Sequence, residues 1–232
     1  MSVRLVYETH ATTVDNERGI ATGHLPGELS AVGREQAREL GERRRGVEVV
    51  YASDLGRAVE TVELAFGGVR EVRFDARLRE CDYGDLTGRP VRELAPLRVR
   101  HIDVPWPGGE SYRQVVARTA AFLRDVRSDL NDVRDGLRGV PDVGDGLRGV
   151  PDVRDGLRVE AGGPGVPDVG DGPGVREPGD ASARWQGRTV LVVAHAANRW
   201  ALLHLLAGTP LEELVTAPFQ WRPGWEFELE AG

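Results

Sequence analysis

The chain has 232 residues and no lysine, since all 30 of its positively charged side chains are arginines. This absence excludes Schiff-base chemistry on a lysine and a phosphate loop that depends on a lysine ammonium. A single cysteine, Cys81, excludes an internal disulfide and a metal cluster held by cysteines. No apolar run approaches the length of about 18 residues that a membrane-spanning helix needs, so we expect no membrane partner.

The first residues also lack the apolar region of a secretory signal and run directly into a predicted strand. We therefore expect a cytoplasmic protein. The formal net charge is −7, and −5 of it falls within residues 131–180. The remainder of the chain is close to neutral, which gives no indication of a nucleic-acid surface.

The segment from Asn131 to Asp180 differs in composition from the rest. It holds 13 glycines and 6 prolines in 50 residues, has no aromatic residue, and repeats the decamer DVRDGLRGVP with small changes. With so little apolar area to bury, it cannot offset the entropy of ordering. We predict a disordered insertion within a single domain formed by residues 1–130 and 181–232. The alternative is a small repeat structure, although two and a half copies are few for a solenoid.

The rest of the chain alternates strand and helix patterns. Apolar, β-branched runs predict strands over Val3–Thr9, Val47–Ser53, Val72–Asp75, Thr189–Ala194 and Trp225–Glu230, the last at a sheet edge. Ser30, Asp54 and Ser111 are candidate N-caps of helices between them. After Ser30, we expect Val32 to face the sheet. This alternation predicts an α/β fold, a three-layer α/β/α sandwich with a mainly parallel sheet.

Two of the predicted strands end in a histidine. His10 follows the first strand and His195 follows the fourth, 185 positions later. Ligands of parallel α/β sheets bind at the carboxyl ends of the strands. We therefore expect the two imidazoles to meet over one substrate.

Other polar residues follow strands or begin helices. Asn16 lies after the first strand, Arg57 after the second, and Glu80 after the third. Two histidines, an arginine and a carboxylate without metal-ligand spacing suit phosphoryl transfer. Imidazole can attack phosphorus, arginine binds phosphate oxygens in pairs, and a carboxylic acid can protonate the leaving oxygen.

These residues lie in motifs that resemble those of the histidine phosphatase superfamily, which includes the phosphoglycerate mutases that depend on a phosphorylated cofactor. The strand that ends at His10, with Asn16 beyond it, is similar to the family's first motif. The helix start Ser-x-Leu-x-Arg-Ala-x-x-Thr is matched in full by Ser53, Leu55, Arg57, Ala58 and Thr61. Three more family motifs are matched by Leu78-x-Glu80 with Gly84 and Gly88, by Pro107–Ser111, and by Ala194-His195. Five motifs in the family's order support a phosphoglycerate mutase-like fold.

The resemblance implies roles for the candidate residues. His10 would be the nucleophile that forms a phosphohistidine, and His195 would hydrogen-bond the phosphoryl oxygens. Arg57 and Asn16 would hold the phosphate, and Glu80 would protonate the leaving alkoxide and then activate water. No metal or organic cofactor is implied, and a homodimer is compatible with the resemblance.

The chain departs from the family pattern beside the nucleophile. The family arginine before the histidine is Thr9, and the following glycine is Ala11. Thr9 offers one neutral hydroxyl, so we hypothesise that Arg18 or Arg199 supplies the missing guanidinium. Glu8 would add negative charge near the phosphate unless it points away or pairs with an arginine.

Three functions stay open at this point. The first is a phosphomonoesterase that hydrolyses a small phosphorylated metabolite through phosphohistidine, with activity weakened or altered by Thr9. The second is a mutase of the phosphoglycerate type, for which Arg98, Arg100 and His101 could supply additional basic groups. The third is a catalytically degenerate member that binds a phosphate ligand or a partner, as the changes at Thr9 and Ala11 suggest.

Overall fold

The computed structural model describes residues 2–47, 49–67, 72–134, 189–218 and 224–230. The strands within these ranges are β1 (Ser2–Thr9), β2 (Val49–Ala52), β3 (Val72–Phe74), β4 (Thr189–Ala194) and β5 (Trp225–Glu230). The α-helices there are α1 (Val14–Arg18), α2 (Ala31–Arg43), α3 (Gly56–Phe66), α4 (Val91–Leu94), α5 (Tyr112–Arg134), α6 (Ala196–Ala207) and α7 (Leu211–Thr216). Four short 3-10 helices also lie between residues 76 and 102.

The five strands form one sheet in the order β3-β2-β4-β1-β5. Neighbours among the first four are parallel, and β5 runs antiparallel along the edge of β1. The register aligns Thr9 with Ala194, so β1 and β4 end side by side. This confirms the predicted α/β class, the mainly parallel sheet and the edge position of the last strand.

Alternation along β1 builds the three layers. Leu5 and Tyr7 pack into a core with Phe122 of α5, whereas Val6 packs on the opposite face with Leu40 of α2 and with α3. These side chains are almost fully buried, and each contributes about 1.5–3 kcal/mol through removal of its apolar surface from water. Helices therefore cover both faces, as the pattern predicts. None of the helices in the described ranges has both the length and the apolarity to cross a bilayer.

Two predicted helix caps are confirmed. The Ser30 hydroxyl accepts a hydrogen bond from the Gly33 amide at 3.1 Å, and the Ser111 hydroxyl accepts one from the Gln114 amide at 3.2 Å. Val32, expected to face the sheet, is 58% exposed. Gly33 lies on the inner face in its place. Glycine fits there because a Cβ would come within 1.9 Å of the Thr12 carbonyl oxygen. The helix packs directly on the backbone after β1, and its inner face runs through Gly33, Ala37 and Leu40.

The predicted cap at Asp54 is wrong. Helix α3 begins after Leu55 and has no side-chain cap, whereas the Asp54 carboxylate pairs with the Arg79 guanidinium at 2.5 Å. The ion pair ties the end of β2 to the segment that carries Glu80.

The last residues of α5 lie in the segment predicted as an insertion, and the domain assignment stays a prediction. Helix α5 continues to Arg134, past the expected boundary at Leu130. Beyond that helix, the Gly- and Pro-rich segment lies outside the described residues.

Candidate active site

A cavity of about 350 Å³ opens where β1 and β4 end. The candidate residues from the sequence that line it are Thr9, His10, Asn16, Arg57, Glu80 and Arg199. The remaining lining residues include Gln36, Tyr83, Val91, Arg98, Trp200 and Ala217. The parallel register of the sheet is what brings the first and last parts of the chain together here.

His10 has one ring nitrogen fixed by the backbone. Its Nδ1 lies 2.7 Å from the carbonyl oxygen of Ala11, so Nδ1 carries the hydrogen and donates it. The Nε2 atom therefore keeps its lone pair, and it accepts a 3.3 Å hydrogen bond from Nε of Arg57. The tautomer that this geometry selects is the one that presents Nε2 as a nucleophile.

Burial, followed by the positive charge of Arg57, lowers the pKa of His10 from 6.5 to about 3. The hydrogen bond to the Ala11 carbonyl opposes this shift without cancelling it. At neutral pH the imidazole is consequently unprotonated. A neutral ring is the form that can attack phosphorus.

Arg57 is positioned by the loop that precedes α2. Its two Nη atoms donate to the carbonyl oxygens of Leu25 and Gly23, each at 2.8 Å, while Nε points to His10. The side chain is 2% exposed, and burial lowers its pKa. An arginine keeps its charge in any such site, so Arg57 places a fixed positive charge beside the His10 ring.

The His195 ring lies beside that of His10, although His195 is not among the residues that line the cavity. The ring centroids are 5.0 Å apart, and the backbone carbonyl of His195 accepts a hydrogen bond from the Tyr7 hydroxyl. Its ring is fully buried, and neither ring nitrogen has a hydrogen-bond partner among the described residues. Burial, then the charge of Arg57, lowers its pKa well below the ordinary value. An orphaned buried imidazole of this kind can donate to an oxyanion that enters the site.

Glu80 reaches the same site from the segment after β3. Its Oε1 accepts hydrogen bonds from the Cys81 amide at 2.8 Å and from the Ala197 amide at 3.1 Å. Its backbone carbonyl accepts from His24 at 2.8 Å and from Arg118 at 3.1 Å. The carboxylate thus lies at the N-terminus of α6, where it binds the amide of Ala197, two residues after His195.

Two candidates after β1 differ in placement. Asn16 lines the cavity, and its Oδ1 accepts from the Thr13 amide at 3.0 Å in a capping box of α1. Arg18 is exposed at the end of α1 and is not among the residues that line the cavity. The structure therefore brings Asn16 to the cavity and leaves Arg18 outside it.

Arg199 and Thr9 both line the cavity. Arg199 is 7% exposed, and its guanidinium carbon lies 4.8 Å from the ring centroid of Trp225. Glu8 points to the other face of the sheet, where its carboxylate pairs with Arg44 at 2.8 Å and with Arg43. The negative charge of Glu8 is therefore neutralised away from the cavity.

Sequence reasoning assigned no role to Gln36. Its Oε1 accepts from the Thr12 amide at 3.1 Å, and its side chain reaches the cavity from α2. The helical pattern could not show this position, because it does not report how closely Gly33 lets α2 approach the backbone of Thr12. Trp200, to which the sequence motifs assigned no role, also lines the cavity.

No group of three or more His, Cys, Asp or Glu residues that could hold a metal ion occurs in the described ranges. The donors that converge on the cavity are arginine, imidazole and amide groups, and these suit an anion.

Comparison of the sequence with known protein families identifies the family of this chain. The profile of the histidine phosphatase superfamily (branch 1) matches residues 9–134, more than half of the chain. The chain belongs to the histidine phosphatase superfamily.

Relatives within this superfamily are phosphoglycerate mutase-like. Phosphoglycerate mutase-like protein 4 of Arabidopsis thaliana is 33% identical over 137 residues, which make up 53% of this chain and 59% of the plant protein. The 2,3-bisphosphoglycerate-dependent phosphoglycerate mutase of Parvibaculum lavamentivorans is 32% identical over 136 residues, covering 51% of this chain and 64% of that protein. Each match spans less than two thirds of the relative.

A solved structure extends the likeness to the fold. A mycobacterial glucosyl-3-phosphoglycerate phosphatase superposes with a TM-score of 0.61 at 24% identity, covering 93% of this chain and 84% of the other. At this identity the likeness shows the histidine phosphatase fold alone. Superfamily members named as mutases and as phosphatases both occur among the proteins similar to this chain.

Proposed function

We propose that the chain is a phosphomonoesterase that hydrolyses a small phosphorylated metabolite through a phosphohistidine at His10. The observation that carries the proposal is the fixed tautomer of His10, with Nδ1–H bonded to the Ala11 carbonyl and the Nε2 lone pair beside Arg57. A nucleophile that is neutral, oriented and adjacent to a cation is what attack on a phosphate monoester needs.

The first step forms a bond from Nε2 of His10 to phosphorus and breaks the bond from phosphorus to the ester oxygen. Arg57 balances charge on the phosphoryl oxygens, and a nitrogen of His195 donates to one of them as charge develops. Glu80, in its protonated form, gives its proton to the departing oxygen. The products are the free alcohol and phosphohistidine.

The second step returns the site to its starting state. Glu80, now a carboxylate, takes a proton from a water molecule as the water oxygen attacks phosphorus. The phosphorus–nitrogen bond breaks, inorganic phosphate leaves, and His10 regains its Nε2 lone pair. Glu80 ends protonated, ready for the next ester.

Asn16 and Arg199 complete the phosphate site in this proposal. Asn16 would donate through its side-chain amide nitrogen, because its oxygen is engaged by Thr13. Arg199 would supply the guanidinium that Thr9 lacks, from the first turn of α6. Arg18, outside the lining of the cavity, is not assigned to phosphate.

A mutase is the second candidate, and its support is the likeness to relatives named as phosphoglycerate mutases. In that case the phosphohistidine would return its phosphoryl group to a hydroxyl of the substrate instead of to water. Arg98, which lines the cavity with Arg57 and Arg199, adds a third guanidinium that could hold such a substrate.

The deciding experiment offers the purified full chain a panel of phosphomonoesters without added metal. Each reaction is quenched, and protein-bound acid-labile phosphate is measured together with inorganic phosphate and positional isomers. We expect labelled protein and inorganic phosphate. Isomer interconversion with little phosphate would favour the mutase. Binding of phosphate analogues with neither label nor turnover would contradict both and indicate a degenerate member.

A further inference from the structure

We infer that His24 is a positioning residue, which holds the proton-donating carboxyl of Glu80 at a fixed place relative to Arg57. The inference rests on the proposed function, in which Arg57 binds the phosphate and Glu80 protonates the leaving oxygen. His24 is not among the residues that line the cavity, so it acts through these neighbours and does not touch the substrate.

The backbone around His24 is fixed by Arg57. The carbonyl oxygens of Gly23 and Leu25, the residues on either side of His24, each accept a hydrogen bond from an Nη atom of Arg57 at 2.8 Å. A turn closes over the same residues, because the Leu25 amide donates to the Thr22 carbonyl at 3.0 Å. Gly23 has a φ of 51°, a left-handed conformation that glycine adopts without strain. The backbone of His24 therefore has a set place relative to the Arg57 guanidinium.

The side chain of His24 reaches from this turn to the segment that carries Glu80. Its Nε2 lies 2.8 Å from the backbone carbonyl oxygen of Glu80, and since a carbonyl only accepts, Nε2 carries the hydrogen and donates it. Its Nδ1 lies 3.8 Å from Oδ2 of Asp82, two residues further along the chain. Both ring nitrogens thus face residues 80–82. The neutral ring with this tautomer and the protonated ring both make the bond to Glu80, so the bond does not depend on the charge of His24.

The Glu80 carbonyl has a second donor, which ties it to a different part of the fold. Nη2 of Arg118 donates to it at 3.1 Å. Arg118 belongs to α5 and pairs with Glu110 at 2.7 Å, so this bond connects Glu80 to the helical layer. Of these two bonds, the one from His24 joins the carbonyl to the turn that holds Arg57. Without it, Glu80 would stay attached to α5 and would lose this connection to the phosphate-binding side of the cavity.

The function of the Glu80 carboxyl depends on such a connection. Its Oε1 accepts from the amides of Cys81 and Ala197, which leaves Oε2 to carry the transferable proton. The distance from Oε2 to the leaving oxygen depends on where the Glu80 backbone lies relative to the phosphate that Arg57 binds. A misplacement of about 1 Å in an arrangement of this kind can lower a rate about a hundredfold.

The test compares two esters that differ in their need for a proton donor. The departing oxygen of an alkyl phosphate must be protonated, whereas 4-nitrophenyl phosphate releases a phenolate that is stable without a proton. The alkyl ester is the one that the unmodified chain turns over fastest in the panel above. kcat/KM is measured for both esters, because it reports the steps up to departure of the alcohol.

Three variants of the full chain are compared: His24→Ala, His24→Gln and His24→Asn. The His24 side chain is 35% exposed, so its replacement removes little buried surface, and melting curves check that each variant folds. Glutamine places its amide nitrogen near the position of Nε2 and keeps the donor to Glu80. Asparagine is the matched control, because its shorter side chain places the same amide group near the position of Nδ1.

We expect His24→Ala to lower kcat/KM for the alkyl ester by about tenfold to a hundredfold. The value for 4-nitrophenyl phosphate should change by less than about threefold, because that step needs no proton from Glu80. His24→Gln should recover most of the loss on the alkyl ester, and His24→Asn should not.

Equal losses on the two esters in a folded His24→Ala variant would overturn the inference, because a general structural role affects both substrates alike. No loss on the alkyl ester, or equal recovery by glutamine and asparagine, would overturn it as well. These results leave the proposed function in place. Failure of the unmodified chain to turn over any alkyl ester of the panel contradicts the proposed function itself, and the inference falls with it.

Discussion

The ends of β1 and β4 differ more than their sequences suggest. Each strand is followed by a histidine, and the two histidines are neighbours in one parallel ladder. Of the two rings, the His10 ring is the one held by hydrogen bonds to described residues. His195 is fully buried, and its ring nitrogens have no partner within the described residues. In the proposed function, one imidazole is oriented before the substrate arrives, and the other would gain a partner when an oxyanion enters.

This difference indicates a division of labour. A nucleophile must present a lone pair in a fixed direction, and the bond from Nδ1 of His10 to the Ala11 carbonyl achieves that. A group that stabilises developing charge acts best when its bond strengthens in the transition state. The unpartnered ring of His195 meets that condition. Experiments that treat the two strand ends separately can therefore break or sharpen the comparison.

The largest effect is expected at the end of β1. His10→Ala removes the attacking nitrogen, so we expect kcat/KM for phosphomonoester hydrolysis to fall by at least about 10⁴-fold and the acid-labile phosphate on the protein to vanish. His204→Ala is the control, because His204 does not line the cavity. Labelled protein in the His10 variant would assign the nucleophile to another residue.

A smaller loss is expected at the end of β4. His195→Leu removes the single N–H donor of the neutral imidazole, and we expect kcat to fall by about 10²–10³-fold, the range for loss of one oxyanion donor. His195→Gln keeps one donor and is expected to recover part of the rate. Melting curves of both variants check that the buried site still folds. Equal rates for Leu and Gln would show that the imidazole fills space and donates nothing.

The third effect in size is expected from the guanidinium that is absent at Thr9, at the end of β1. If Arg199 replaces the guanidinium absent at Thr9, then Arg199→Gln should lower kcat/KM by about tenfold to a hundredfold. Adding Thr9→Arg to that variant should recover activity. Lack of recovery, with the double variant folded, would place the role of Arg199 in packing against Trp225 instead.

Acid should destabilise the fold through both imidazoles. The pKa of His10 is lowered to about 3, and that of His195 is also lowered, so the unfolded chain binds protons more readily than the folded chain below about pH 6.5. The free energy of unfolding therefore falls as pH drops through this window, by up to about 1.4 kcal/mol per pH unit for each group.

Chemical denaturation at several pH values measures this slope. His10→Asn and His195→Asn should each flatten it, because each removes a group that titrates differently in the two states. A slope unchanged in both variants would mean that neither imidazole is excluded from protonation by the folded site.

The smallest effect is expected from the segment between α5 and β4. Replacing residues 135–180 by a short Gly-Ser linker leaves β1, β4 and α5 intact in sequence. Loop-closure entropy changes by only about 0.6 kcal/mol per halving of loop length, so we expect stability to rise by about 1 kcal/mol at most. Thermal melting monitored by circular dichroism checks this. A non-cooperative melt would show that the segment is structural.

Much of the fold follows from local pattern. The five strands, the edge position of the last one, and the caps at Ser30 and Ser111 all agree with the sequence prediction. The structure also places His10, Arg57, Glu80 and His195 at one edge of the sheet, because parallel strands end there, and the roles of these residues stay predictions. Periodicity carries this information, since it reports which face of each element is apolar.

The errors share a physical cause. Val32 and Asp54 were misplaced because the approach of α2 to the backbone of Thr12, and the ion pair of Asp54 with Arg79, are tertiary effects. The buried nitrogens of Arg98 and Trp200 that lack a hydrogen-bond partner among the described residues could not be predicted either, because a sequence does not show which donors lack acceptors. Patterns along the chain cannot report distances across it.

The ladder between β1 and β4 explains how so large a separation in sequence leaves the two rings in contact. Thr9 lies opposite Ala194, and the next backbone bond joins the His10 amide to the Ala194 carbonyl at 2.9 Å. A slip of one residue in this pairing would turn one imidazole to the opposite face of the sheet. The spacing of the rings is thus a property of strand alignment. The length of the chain between α5 and β4 therefore does not set the distance between the two rings.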